Sequence, residues 1–161
     1  MKRARGDKMK YLVVYDSYFG NTETIAKEIA TTLDDCECVR VTDINFREKV
    51  DLLIVGSPTR GFKATASIQK FLNSLPSNVK NVALFDTRID TGTISSGFSR
   101  WIIGNMGYAN NKMIKIVLKR KRNIIEPIEF FYVLGNEGPL KEGEIDKAKR
   151  WAESLKIIEK N

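Results

Sequence analysis

Tyr11-Leu12-Val13-Val14-Tyr15-Asp16-Ser17-Tyr18-Phe19-Gly20-Asn21-Thr22-Glu23 is the stretch on which the fold turns. Its first five residues are uniformly apolar and rich in β-branched and aromatic side chains, the composition of a strand covered on both faces in a parallel sheet. A short polar run with one glycine follows, and then Ile25, Ala26, Ile29, Ala30 and Leu33 fall on one apolar stripe at helical spacing. Strand, tight loop and helix in that order open a β-α-β unit.

The same alternation continues outward. Short apolar runs recur at Cys38–Val41, Leu52–Val55, Val82–Phe85 and Phe130–Val133, and a second helical stripe at Ile145, Ala148, Ala152 and Leu155 closes the chain. Five β-α units with no linker or repeat predict a doubly wound α/β fold. Its five-stranded parallel sheet carries helices on both faces through right-handed crossovers. We assign residues 10–161 to one domain and residues 1–9 to a basic tail. The 161 residues, 42% hydrophobic and 29% charged, suffice for one core and argue against disorder or a two-domain enzyme. Between the second and third strands, Thr42–Asp51 leaves room for a turn or two of helix, placed at Asn45–Lys49. In such sheets ligands sit beyond the carboxyl ends of the strands, so the loops after Tyr15, Val55 and Phe85 carry the functional question.

Composition excludes several chemistries. The sequence contains no histidine, which removes Ser-His-Asp and Cys-His triads and His-containing zinc sites. Cys36 and Cys38 alone cannot complete a metal site and read as reduced thiols of a cytoplasmic protein. The run after the basic start is too short for a signal-peptide core, and no run approaches membrane-helix length. The net charge of +7 is localised. Met1–Lys8 contributes +3 and Lys112–Arg122 contributes +6 with no acid, so the remainder is at −2. Lys112, Lys115, Lys119 and Arg122 form a cationic stripe on the helix before the last strand, opposite Met113, Ile116 and Val117. It is either a solvated face or a docking stripe. Without interleaved stacking aromatics or a nucleic-acid-binding motif, nucleic acid is not the expected partner.

The loop after the first strand offers hydroxyls at Ser17 and Thr22, a glycine, and successive amides at a helix start, with no cation. That is either an anion cradle or an ordinary capped β-α turn.

Ser17-Tyr18-Phe19-Gly20-Asn21-Thr22 resembles the flavin mononucleotide (FMN) phosphate loop of flavodoxins, whose pattern is Ser/Thr-x-x-Gly-Asn-Thr. Gly56-Ser57-Pro58-Thr59-Arg60-Gly61 resembles their second flavin loop. Asp86-Thr87-Arg88 with Asp90-Thr91-Gly92 stands where the third belongs, and Gly135-Asn136-Glu137-Gly138-Pro139-Leu140 is similar to a segment of short, single-domain microbial members. The resemblance runs from about Tyr11 to Leu155. It implies strand order 2-1-3-4-5, bound FMN, and a carrier of electrons between redox partners. Ser17, Asn21 and Thr22 would hold the phosphate with amides from Tyr18, Phe19 and Gly20 to Thr22. Ser57, Pro58, Thr59 and Gly61 would line the ribityl chain and ring edge, with Gly61 free to take positive φ in a peptide flip. Arg60, Phe62, Thr87, Arg88, Asp90 and Gly92 complete the implied set.

The sequence departs from the family in one respect. Asp86–Gly97 contains no aromatic to stack on the ring, which leaves Arg60, Tyr18, Phe62 or Phe98 for that task. A cation at Arg60 would also favour the fully reduced, anionic flavin. The basic stripe would then receive an acidic redox partner such as a reductase or ferredoxin. An FMN-dependent NAD(P)H or quinone oxidoreductase, and a cofactor-free adaptor acting through the basic helix, are the alternatives. A phosphatase of similar architecture needs a cysteine within residues 16–23, where there is none. A phosphoacceptor regulator needs acids where Gly56 and Ser57 stand.

Overall fold

The structure, a computed structural model, describes residues 8–93, 96–98, 101 and 107–158. The basic tail up to Asp7 lies outside these. The strands are β1 (Tyr11–Tyr15), β2 (Cys36–Arg40), β3 (Leu52–Pro58), β4 (Asn81–Ile89), β5 (Asn123–Ile124) and β6 (Glu129–Val133). The helices are α1 (Asn21–Thr32), α2 (Ala66–Asn73), α3 (Ala109–Lys119) and α4 (Glu144–Ile158).

All strand pairs are parallel, in the order β2-β1-β3-β4-β5, as the resemblance implied, with β6 also paired to β4. The fifth place is therefore filled by two segments: Asn81 faces Asn123, and the ladder resumes where Phe85 faces Glu129. The alternation of β1 sorts the core into two layers. Tyr11, Val13 and Tyr15 pack with Ile25 and Ile29 of α1 and Trp151 and Leu155 of α4. Leu12 and Val14 pack with Ile68 and Leu72 of α2 and Met113 and Val117 of α3. In the first layer Phe85, Phe131 and Trp151 meet edge to face. The Phe85 ring lies across Gly56, where any Cβ would overlap it, so β3 needs glycine at that place.

Three expectations are corrected. Asn45–Lys49 is not helical; the helical turn is a 3₁₀ segment at Val41–Asp43. The link covers the sheet directly instead, burying Val41 and stacking Phe46 on Phe71 at 5.8 Å and 4°. Arg122 does not share the cationic stripe. The helix stops at Lys119, Lys121 takes a φ of 57°, and the Arg122 guanidinium is spent on the carbonyls of Leu75, Pro76 and Arg120. β2 also begins two residues earlier than read, at Cys36. Burial pushes the thiols of Cys36 and Cys38 to about 12 and about 11, which keeps them protonated.

Candidate functional site

At the carboxyl ends of β1, β3 and β4 the connecting loops are tied together. Asp16 N–H donates to the Gly56 carbonyl at 3.1 Å, and Thr59 N–H donates to the Thr87 carbonyl at 2.9 Å. The first loop folds on itself: Gly20 N–H donates to Ser17 Oγ at 3.1 Å, and Gly20 takes a φ of 91° as the cap of α1. A side chain at Gly20 would be strained in that conformation. The first turn of α1 then leaves backbone amides without helical partners at the mouth of the loop. Thr22, buried, meets the Thr87 hydroxyl at 2.8 Å, which closes the floor between β1 and β4. Asn21 Nδ2 donates to the Glu137 carbonyl at 3.0 Å, and Gly138, at a φ of 106°, leaves that amide the room a Cβ would take.

The second loop is a tight hairpin turn. Arg60 and Lys63 exchange both backbone hydrogen bonds, at 2.8 and 3.2 Å, and the two residues between them have positive φ, Gly61 at 55° and Phe62 at 65°. That is the type I′ pattern, easy for glycine and strained for phenylalanine. The Arg60 guanidinium lies 4.6 Å from the centre of the Tyr18 ring and 5.5 Å from that of Phe19, closing the second loop against the first.

Beyond Thr87, the third loop is organised by charge. Asp86 is fully buried and takes a bidentate pair from Arg88, Nε at 2.8 Å and Nη2 at 2.7 Å, plus the Asn110 N–H at 3.0 Å from the start of α3. Burial pushes its carboxyl above the ordinary range, against the pull of Arg88 and that amide. The Arg88 guanidinium stacks between Tyr108, at 3.7 Å, and Phe130, at 4.2 Å.

Two neighbouring clefts result. The first, with about 420 Å³ of space open to solvent, gathers most of the residues expected from the sequence: Ser17, Tyr18, Phe19, Asn21, Thr22, Pro58, Thr59, Arg60, Thr87 and Arg88. The second shares Thr59 and Arg88 and adds Gly61, Phe62 and Tyr108, with Asn136 on the wall common to both. Four expected residues line neither. Gly20 acts through its backbone turn, and Ser57 is buried, accepting from Thr65 N–H and donating to the Pro58 carbonyl. Asp90 caps Gly92 N–H at 3.0 Å and pairs with Lys141 at 2.7 Å, so both residues build a local turn. Phe98, proposed for the ring, is exposed and stacks on Trp101.

Tyr108 and Asn136 are lining residues that motif reading did not single out. Asn136 lies inside the quoted Gly135–Leu140 segment and was within reach of it. Tyr108 carries no local signal; it arrives as the cap of α3, where Ala109 N–H donates to Thr59 Oγ1 at 3.0 Å. Among the lining residues of the first cleft there is no carboxylate. Hydroxyls, two amide side chains and two guanidiniums around a helix start suit an anion. Among the described residues no group of three metal-ligating side chains occurs, and no helix is long and apolar enough to cross a membrane.

A family model described as a flavodoxin domain matches residues 12–94, just over half of the chain. No curated protein sequence matches. Among solved structures, a flavodoxin from the domain Archaea is 19% identical, covering 95% of this chain and 100% of its own, with a TM-score of 0.71. An FMN-bound flavodoxin variant from Fusobacterium nucleatum is 19% identical over 91% of this chain and 92% of its own, TM-score 0.60. Oxidised flavodoxin 2 from Bacillus cereus is 23% identical over 91% and 97%, TM-score 0.57.

Proposed function

Given that the chain belongs to the flavodoxin domain family, we propose that it binds FMN across the two clefts and carries electrons between redox proteins. The observation that carries this reading is the first cleft: a helix start with Gly20 in the left-handed region, hydroxyls at Ser17, Thr22 and Thr87, and no carboxylate in the lining. These residues fit a phosphate monoester. The FMN held by the Fusobacterium relative supports the same ligand here.

Ser17, Asn21 and Thr22 bind the phosphate together with amides of the loop, and Pro58 and Thr59 line the ribityl chain. Phe62 and Tyr108 are the aromatic walls of the second cleft and flank the isoalloxazine ring. Arg88, which lines both clefts, also holds Tyr108 in place through its stacked guanidinium. Bound FMN supplies one- and two-electron transfer. The protein's part is to hold the ring at an open edge of the sheet, where a partner reaches it.

The partner surface is the exposed face of α3. Lys112, Lys115 and Lys119 are exposed there, and no carboxylate partner is found for them among the described ion pairs. The helix begins at Tyr108, on the wall of the ring cleft, so an acidic protein seated on the stripe lies beside the cofactor. Stopped-flow mixing of the reduced, FMN-loaded protein with an acidic ferredoxin-type acceptor tests this. The bimolecular rate falls steeply with ionic strength, and further for Lys112→Glu with Lys115→Glu; a salt-independent rate overturns the docking surface.

A further inference from the structure

Behind the first loop stands a cation that no motif indicates. Arg40 ends β2, and the parallel register sets it beside Tyr15, the last residue of β1. Its Nη1 donates to the Ser17 carbonyl at 2.8 Å and lies 3.5 Å from Asp16 Oδ1, while Nη2 lies 3.5 Å from Glu23 Oε2. The side chain is about one-third exposed and passes over the Tyr15 ring at 5.4 Å.

We infer that Arg40 is a positioning residue for the phosphate subsite and a determinant of its preference for a phosphorylated flavin. The inference rests on the FMN reading above. In a trans peptide the carbonyl and the next N–H point in opposite directions. Holding the Ser17 carbonyl outward on the guanidinium therefore turns the Tyr18 N–H inward, to the concave side of the loop. Two other donors of the loop are already committed: Ser17 N–H to Asp16 Oδ1 at 2.9 Å, and Gly20 N–H to Ser17 Oγ. The Tyr18 amide is thus a donor whose direction matters, and Arg40 sets it.

Charge adds a second effect. Asp16 adjoins the loop and Glu23 lies in the first turn of α1, so two carboxylates stand just behind the cleft, outside its lining, near where a dianionic phosphate is to be held. Lys27 engages Glu23 at 2.8 Å, and Arg40 bridges Asp16 and Glu23 from the other side. Removing Arg40 leaves the charge of Asp16, which lies behind the loop and accepts from the Ser17 N–H, without its guanidinium. Partial exposure screens this contribution, so the larger share belongs to the peptide orientation.

The test is titration of the apoprotein with FMN and with riboflavin, which lacks the phosphate, for wild type, Arg40→Ala and Arg40→Lys. Arg40→Ala lowers FMN affinity about tenfold and leaves riboflavin within about twofold. Arg40→Lys, which keeps the charge and loses the fork, recovers part of the FMN affinity. Equal weakening of both flavins, or no weakening of either, overturns the inference while FMN binding by the wild type stands. A wild type that binds FMN no better than riboflavin overturns the phosphate reading and this inference with it. Thermal unfolding of the apo variants separates a collapsed loop from a reoriented one, and Arg40→Lys carries the comparison if Arg40→Ala does not fold.

Discussion

The ends of β1 and β4 flank β3 on either side and are made of opposite materials. The β1 end is built from one contiguous run, Ser17 to Thr22, whose donors toward the cleft are neutral. The β4 end is built from a buried carboxylate and guanidinium, Asp86 and Arg88, clamped between Tyr108 and Phe130 from later elements. The difference follows from what each must hold. A phosphate brings its own charge and is best met by amides and hydroxyls at a helix start. On the proposed reading a flat ring needs a rigid aromatic wall, and the ion pair beside it also helps fix Tyr108 in place.

The largest expected effect breaks the charged side. Arg88→Met leaves Asp86 buried without its cation and costs about 3–5 kcal/mol of stability in urea unfolding. The sign of its pH dependence is set by Asp86, whose carboxyl is already raised by burial and rises further once Arg88 is gone. A native carboxyl above its unfolded value contributes stability in acid and loses it as pH rises through the native value. The deficit of Arg88→Met against wild type is therefore small in acid and full at neutral pH. A deficit that does not change with pH contradicts this account of the pair.

On the neutral side the effects are smaller. Thr22→Val removes the hydroxyl shared with Thr87 and costs roughly 1–1.5 kcal/mol of FMN binding, or about tenfold in a fluorescence titration. Where the two regions meet, Arg60→Glu reverses the cation at the lip of the first cleft. It lowers the potential of the second one-electron step by about 40 mV, the equivalent of ~1 kcal/mol, in spectroelectrochemical titration. The smallest effect relieves strain: Phe62→Asn, at a φ of 65°, stabilises the apoprotein by on the order of 0.5 kcal/mol in thermal unfolding while weakening flavin binding.

The same contrast explains what was legible in the sequence. The layers of the fold followed from uniform apolar strands and two helical stripes, because burial on both faces leaves a local mark in Tyr11–Tyr15 and Leu52–Val55. The first loop was readable for the same reason: its residues are consecutive, and so are their positions around the helix start. Asp86 and Arg88, two apart on β4, share a face by the strand period, but Tyr108 and Arg40 left no local mark. They enter through register and helix packing, with Arg40 beside Tyr15 across two strands and Tyr108 reaching Arg88 from the start of α3. Arg122 shows the converse. Its spacing matched the lysine stripe, but the chain leaves the helix at Lys121, and carbonyls of the α2–β4 loop take its guanidinium. Asp90 and Gly92 likewise match a motif position but close a turn of their own with Lys141.

The central claim is that these loops hold FMN. Heat release of the cofactor from the purified protein, with identification and quantification of what is released, tests it most directly. The account predicts a yellow protein that yields one FMN per chain, and an apoprotein that takes FMN up again at that stoichiometry. A colourless protein whose apo form does not bind added FMN would contradict it.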